Sequence, residues 1–166
     1  MMAHPLELSG SQDFDFFFGR WTVAHQRLRT RLAHCQDWDE FGGTSHVQPL
    51  LGGLGNVDDN LLHLPEASYR AVTLRAFDPA SGMWSIWWLD GRRPTQLDVP
   101  MRGRFEQGVG KFYADDVFEG KAIKVRFVWD ARVPAQPVWE QAFSLDDGTN
   151  WETNWVMRFA RAETAV

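Results

Sequence analysis

The chain has 166 residues, with 22 acidic and 17 basic side chains interspersed and a net charge of −5 at pH 7. This length fits a single domain, residues 1–166 with an ordered core at about 11–161, and can bury a core without a disulfide or metal. The charge pattern lacks the basic stripe of a nucleic-acid-binding protein, and no apolar run approaches the roughly 20 residues of a membrane-spanning helix.

The first ten residues, MMAHPLELSG, show neither the basic nor the apolar region of a signal peptide. The single cysteine, Cys35, has no partner for an internal disulfide, which suits a reducing compartment. These two features lead us to expect a cytoplasmic protein.

The segment DFDFFFGRWTV begins the patterned part of the chain. Ser11 is a candidate N-cap for a short helix over 12–18, and Gly19 is a candidate for its C-terminal stop. Phenylalanines spaced i, i+3, i+4 share one face of such a helix; these are Phe14, Phe17 and Phe18. We expect this apolar face to plug one end of the fold that follows.

Beyond this segment, short apolar–polar alternations are separated by turn stretches such as LGG, DPASG and DDGTN. Strands are predicted at about 20–32, 38–50, 54–62, 68–77, 83–90, 100–106, 109–116, 121–130, 137–145 and 151–161. All joins are short, so successive strands should pair antiparallel. A meander of this length tends to close, because closure removes its exposed edges. The sequence therefore predicts an all-β, antiparallel up-and-down barrel of about ten strands.

The inward face of the first strand leaves two alternatives. If Trp21 points inward, the period of two sends His25 and Arg27 inward as well. Either the upper lumen is polar, or a bulge reverses the alternation after Val23. With a polar lumen, Glu40 on the second strand would neutralise Arg27 inside the barrel.

The segment MWSIWWLDGR is apolar on both faces of a strand, one formed by Trp84, Ile86 and Trp88 and the other by Ser85, Trp87 and Leu89. One face would pack inside the barrel. The other would pack either against the N-terminal helix or in a homodimer interface, since exposed tryptophans are typical of interfaces.

Four stretches, FDFFFGRWTV, LRAFDPASGMWSIWW, VRFVW and AFSLDDGTNWETNWVMRFAR, resemble an uncharacterised bacterial domain-of-unknown-function family with a calycin (lipocalin-like) barrel. The similarity runs from about Phe14 to Arg161, and its most specific part is the last stretch. The resemblance implies that Trp21 seals the closed end under an arginine of the last strand, Arg161 or Arg158, as a cation over an indole.

A hollow barrel rich in aromatic side chains would bind a small, partly apolar or aromatic molecule. The candidate ligand-binding residues are His25, Arg27, Glu40, Arg75, Trp88, Tyr113, Arg126, Glu140 and Trp155. We predict no cofactor and no metal, because the chain has no phosphate-binding glycine loop and no clear ligand set.

Two other functions stay open at this point. One is an enzyme, in which His25, Arg27, Glu40 and Arg126 in a polar lumen would perform acid–base chemistry. The other is a dimeric interaction scaffold that has no ligand.

Overall fold

Ten antiparallel strands form a closed barrel in the computed structural model, which describes residues 8–162; the predicted domain limits extend beyond these at both ends. The strands are β1 Gly19–Leu28, β2 Trp38–Leu50, β3 Gly55–His63, β4 Ser68–Asp78, β5 Met83–Asp90, β6 Met101–Glu106, β7 Val109–Phe118, β8 Lys121–Asp130, β9 Val138–Ser144 and β10 Glu152–Arg161. Each strand pairs with its sequence neighbours, and β1 pairs with β10 to close the barrel. The predicted fold class is confirmed.

The short N-terminal helix is present as two 3-10 turns, Ser9–Gln12 and Asp15–Phe17. No side chain caps either turn, so Ser11 does not have the predicted capping role. Phe14 and Phe17 are 1% exposed and fill one end of the barrel, whereas Phe18 is only partly buried. The second turn therefore lies inside the barrel end, and the first contacts the buried Trp84, whose Nε1–H donates to the carbonyl oxygen of Gly10, and not the outer face of β5.

Trp21 lies at the centre of this closed end and has no exposed surface. Its indole Nε1–H donates to the carbonyl oxygen of Phe17 at 2.8 Å. The guanidinium carbon of Arg161 lies 3.9 Å from the indole centroid, and Arg161 also donates to the carbonyl oxygens of Phe16 and Phe18. The closing strand and the N-terminal turns are thus joined through one tryptophan and one arginine.

β1 keeps one register with both neighbouring strands from Trp21 to Arg27, so no bulge reverses its alternation. Of the two alternatives for this strand, the polar lumen is the observed one. β1 ends at Leu28 and not near residue 32. The chain leaves the strand direction there, and Leu32 has a φ of 58°, which a regular strand does not accommodate.

A bulge occurs instead on β10, where pairing with β9 shifts at Asn154. The extra residue reverses the alternation, so Trp155 faces the lumen while Trp151 lies outside against Tyr113. A regular strand would place Trp151 and Trp155 on the same face. The bulge decides which of these two tryptophans is available to a ligand.

Within residues 8–162, no helix has the length and hydrophobicity needed to cross a membrane.

Candidate ligand-binding site

A cavity of about 220 Å³ occupies the barrel lumen at the end opposite the aromatic plug. Its apolar wall is formed by Trp88, Phe127, Trp139, Phe143 and Trp155. The Trp155 ring meets the rings of Trp88 and Trp139 edge-to-face, with centroid separations of 5.7 and 5.3 Å. Such contacts add about 0.5–1.5 kcal/mol each beyond simple burial, so this wall is pre-formed and not collapsed into the lumen.

One side of the cavity is polar because alternate residues of β3 point inward: Asn56, Asp58 and Asn60. From the neighbouring strand β4, the Nη2 of Arg75 forms an ion pair with the Oδ2 of Asp58 at 2.8 Å. Arg75 also donates to the Oδ1 of Asn56, and the backbone N–H of Thr73 donates to Asp58. A buried charge needs such partners. The guanidinium of Arg75 lies 5.1 Å from the ring of Phe14, so this ion pair lies where the cavity meets the plug.

Two further arginines, Arg27 and Arg31, lie on the β1 side of the cavity mouth. The Nη2 of Arg27 donates to the hydroxyl oxygen of Tyr69 at 2.8 Å, and its guanidinium carbon lies 4.0 Å from the ring centroid of Trp155. Arg31 lies over Phe143, with its guanidinium carbon 5.2 Å from that ring centroid. Burial and the charge of Arg27 lower the pKa of Arg31 to about 10, so it stays charged at neutral pH.

The opposite side of the mouth carries the acidic residues Asp90, Asp98 and Asp116. Asp90 forms two hydrogen bonds with Arg92, at 2.8 and 3.1 Å, and the side-chain hydrogen bond from Arg92 lowers the pKa of Asp90. Asp98 and Asp116 have no lysine or arginine nitrogen within 4.0 Å among residues 8–162. The two arginines near β1 thus face a side of the mouth where the three aspartates lie together with Arg92 and Arg93.

His25 is buried behind the apolar wall and does not line the cavity. Its Nδ1 accepts a hydrogen bond from the indole Nε1–H of Trp155 at 3.1 Å, and its ring stacks on Phe41 with the centroids 4.6 Å apart. Because Nδ1 is the acceptor, the neutral ring carries its proton on Nε2. Burial, and next the charge of Arg27, lower the pKa of His25 to about 3. His25 is therefore a neutral residue that positions Trp155.

We expect the fold to lose stability as the pH falls below about 6.5, because the unfolded chain then binds a proton at His25 that the folded chain excludes until about pH 3. His25 makes the free energy of unfolding fall by up to about 1.4 kcal/mol for each pH unit in this range. Urea denaturation at several pH values measures this dependence in the wild type and in His25→Gln, and the difference between the two slopes is the contribution of His25. His34→Gln, at an exposed position, is the control and should keep the wild-type slope. Identical slopes in the wild type and His25→Gln would contradict the assignment.

Comparison with known proteins gives a structural relationship and no relationship in sequence. No protein-family model and no curated protein matches the sequence. Among solved structures, the S-type phycobiliprotein lyase CPES from Guillardia theta matches with a TM-score of 0.56 and 10% identity, covering 92% of each chain. The fold is a lipocalin-like barrel. At this identity the likeness shows the fold alone.

Within this lipocalin-like barrel, four of the predicted site residues meet at the cavity: Arg27, Arg75, Trp88 and Trp155. Arg75 lies deep in the lumen with Asp58 and not at the mouth. The alternation predicted for β5 is correct, because Trp84 and Ile86 are buried and Trp88 lines the cavity.

The other predicted residues do not reach the lumen. Glu40 is exposed on the outer face, where it accepts a hydrogen bond from Gln26, so its predicted pairing with Arg27 is wrong. The reason is the register of the two strands. Arg27 lies opposite Asp39, so the next residue, Glu40, points to the other face of β2. The acid–base set proposed for an enzyme is not assembled, because Glu40 and Arg126 both lie outside.

Tyr113, Arg126 and Glu140 also face outward, since the cavity is lined by their sequence neighbours on β8 and β9 and Phe112 is buried on β7. Arg126 and Tyr113 instead contact the outward Trp151. These three residues lie on the outer surface and form no part of the site.

Sequence reasoning missed Asp58, Tyr69 and Arg31. The stretch NVDDN carries a signal for Asp58, because polar residues at alternate positions indicate a polar inward face. Arg31 carries no such signal, since it lies in the loop after β1 and alternation does not apply there. Among residues 8–162, no group of three or more His, Cys, Asp or Glu side chains is arranged to hold a metal ion.

Proposed function

We propose that this protein binds a small molecule with a flat apolar body in the barrel lumen. The observation that carries the proposal is the open cavity of about 220 Å³ with a pre-formed wall of Trp88, Trp139 and Trp155. Ligand sites are typically concave, largely apolar and supplied with a few polar groups. Here the polar groups are the side chains of β3, β4 and the mouth.

The size of the cavity limits the ligand. An apolar cavity of about 150 Å³ takes up benzene, so a cavity of about 220 Å³ suits one ring with a short substituent, or two fused rings. The solved structure with the similar fold is that of a phycobiliprotein lyase. What supports the proposal from that likeness is the barrel, and the lyase activity is not part of what we propose.

Adjacent tryptophans provide the test. Trp88 lines the cavity, whereas Trp87 is on the opposite face of β5. We expect at least one compound from a panel of one- and two-ring aromatic molecules, including neutral, anionic and cationic members, to bind the wild type in calorimetry. Trp88→Ala should weaken binding by about tenfold or more, because a bound ring loses an aromatic wall.

Trp87→Ala is the matched control and should leave the affinity within about twofold of the wild type. Thermal unfolding of both variants shows whether each is folded. Equal weakening by the two substitutions, or no binding of any panel member to the wild type, would refute the proposed function.

A further inference from the structure

We propose that the ligand of the lumen carries a carboxylate, and that Arg27 and Arg31 bind this group. The inference rests on the proposed binding function and names the class of its ligand. The evidence for it is that two arginine side chains at the cavity mouth form no ion pair with the described part of the protein.

Arg27 is the first of these charges. Its guanidinium has five N–H donors, yet the single hydrogen bond it makes within residues 8–162 goes to the neutral hydroxyl of Tyr69. Its Nε is buried without a partner, and no carboxylate oxygen of the described chain lies within 4.0 Å. The deeper arginine of the same lumen, Arg75, has Asp58 at 2.8 Å. The protein thus neutralises one lumen arginine and leaves the other open to the cavity.

Arg31 adds a second positive charge at the same edge. It too has no carboxylate within 4.0 Å in the described chain. The charge of Glu152 acts on Arg31 from beyond ion-pair distance, and its carboxylate accepts the backbone N–H of Leu32 at 2.7 Å. Two partly buried like charges repel each other in a medium less polar than water. An anion between Arg27 and Arg31 offsets this repulsion, so the arginine pair favours a negatively charged ligand group.

The hydroxyl of Tyr69 supplies a further donor. It accepts from Arg27, and within residues 8–162 its own proton has no acceptor. A planar carboxylate suits this set, since guanidinium groups bind carboxylates through paired N–H donors. At the opposite edge Asp98 and Asp116 repel an anion, and the charge of Arg93 on that edge offsets part of this repulsion. The ring of the ligand then lies against Trp155, and the ligand class is an aryl or arylalkyl carboxylic acid.

The test compares four carboxylates, benzoate, phenylacetate, 3-phenylpropionate and indole-3-acetate, with their primary amides by calorimetry at pH 7. Each amide keeps the shape of its acid and lacks the charge. We expect the best carboxylate to bind about tenfold or more tightly than its amide, as hydrogen bonds to charged groups are the stronger ones. Arg27→Met and Arg31→Met should each reduce this preference below about threefold while leaving the amide affinity close to that of the wild type.

Arg29→Met is the control for net charge, because Arg29 is exposed and forms an ion pair with Asp39 outside the cavity. It should keep the wild-type preference. Since Arg27 and Arg31 are tested separately, a folding defect in one variant leaves the other to decide. Equal affinity for acids and amides, or a preference that survives both substitutions, would overturn this inference and leave lumen binding intact. Failure of both series to bind would overturn lumen binding as well.

Discussion

Replacement of Asp58 by asparagine is expected to lower the free energy of unfolding by about 3–5 kcal/mol. The side chains of Asp58 and Arg75 are 2% and 4% exposed, and the substitution leaves the arginine buried without its counter-charge. Asparagine keeps the shape of the side chain, so the loss of stability comes from the missing charge and not from a change in side-chain volume. Urea denaturation at pH 7 measures it.

Asp59→Asn is the matched control. Asp59 is the next residue, is exposed, and pairs with Arg70 across 3.6 Å at the surface. Surface pairs contribute about 0–1 kcal/mol, so this variant should unfold nearly as the wild type does. The double variant Asp58→Leu, Arg75→Met should recover most of the lost stability, because removing both charges leaves neither unpaired. A loss below about 1 kcal/mol in Asp58→Asn would show that solvent in the cavity compensates Arg75.

Trp21→Ala is expected to cost about 3–5 kcal/mol of unfolding free energy, the usual range for a large-to-small substitution in a core. The residue is fully buried, its ring contacts Phe17 and Phe159, and its N–H holds the carbonyl oxygen of Phe17. The substitution therefore loosens both the barrel closure and the plug. Thermal and urea unfolding measure the loss.

Trp38→Ala provides the comparison, because Trp38 is 36% exposed at the start of β2. It should cost much less than Trp21→Ala. Ligand affinity of the folded fraction should not change in Trp21→Ala, since Trp21 does not line the cavity. A specific loss of affinity in a stably folded Trp21→Ala protein would contradict a purely structural role.

The strands and their antiparallel order could be predicted because both depend on local patterns: alternation within a strand and turn residues between strands. On β1 and β5 the alternation shows which residues share a face, because neither strand has a bulge, but the choice of the inward face stayed open. On β10 a regular alternation would place Trp151 and Trp155 on one face, and the bulge at Asn154 separates them without a mark in the sequence. A bulge is set by pairing with another strand, which local patterns do not encode.

The candidate site was less predictable for a related reason. Glu40 and Arg27 were expected to meet, but cross-strand partners depend on register, and a shift of one residue moves a side chain to the other face. Asp58 and Asp59 look alike in sequence, yet one is buried in an ion pair and the other is on the surface. Which of two adjacent aspartates faces Arg75 follows from the closed barrel and not from either residue type.

The plug at one end makes the lumen a blind-ended chamber. Phe14 and Phe17 fill the floor and the Arg75–Asp58 pair lies above them, so a molecule that reaches Trp155 does not leave through this end of the barrel. An occupied chamber has to empty before it can be refilled, and two molecules cannot pass through in sequence. The residues at the rim of the opposite end therefore control both the entry and the exit of a ligand. The barrel is not a channel that is open at both ends.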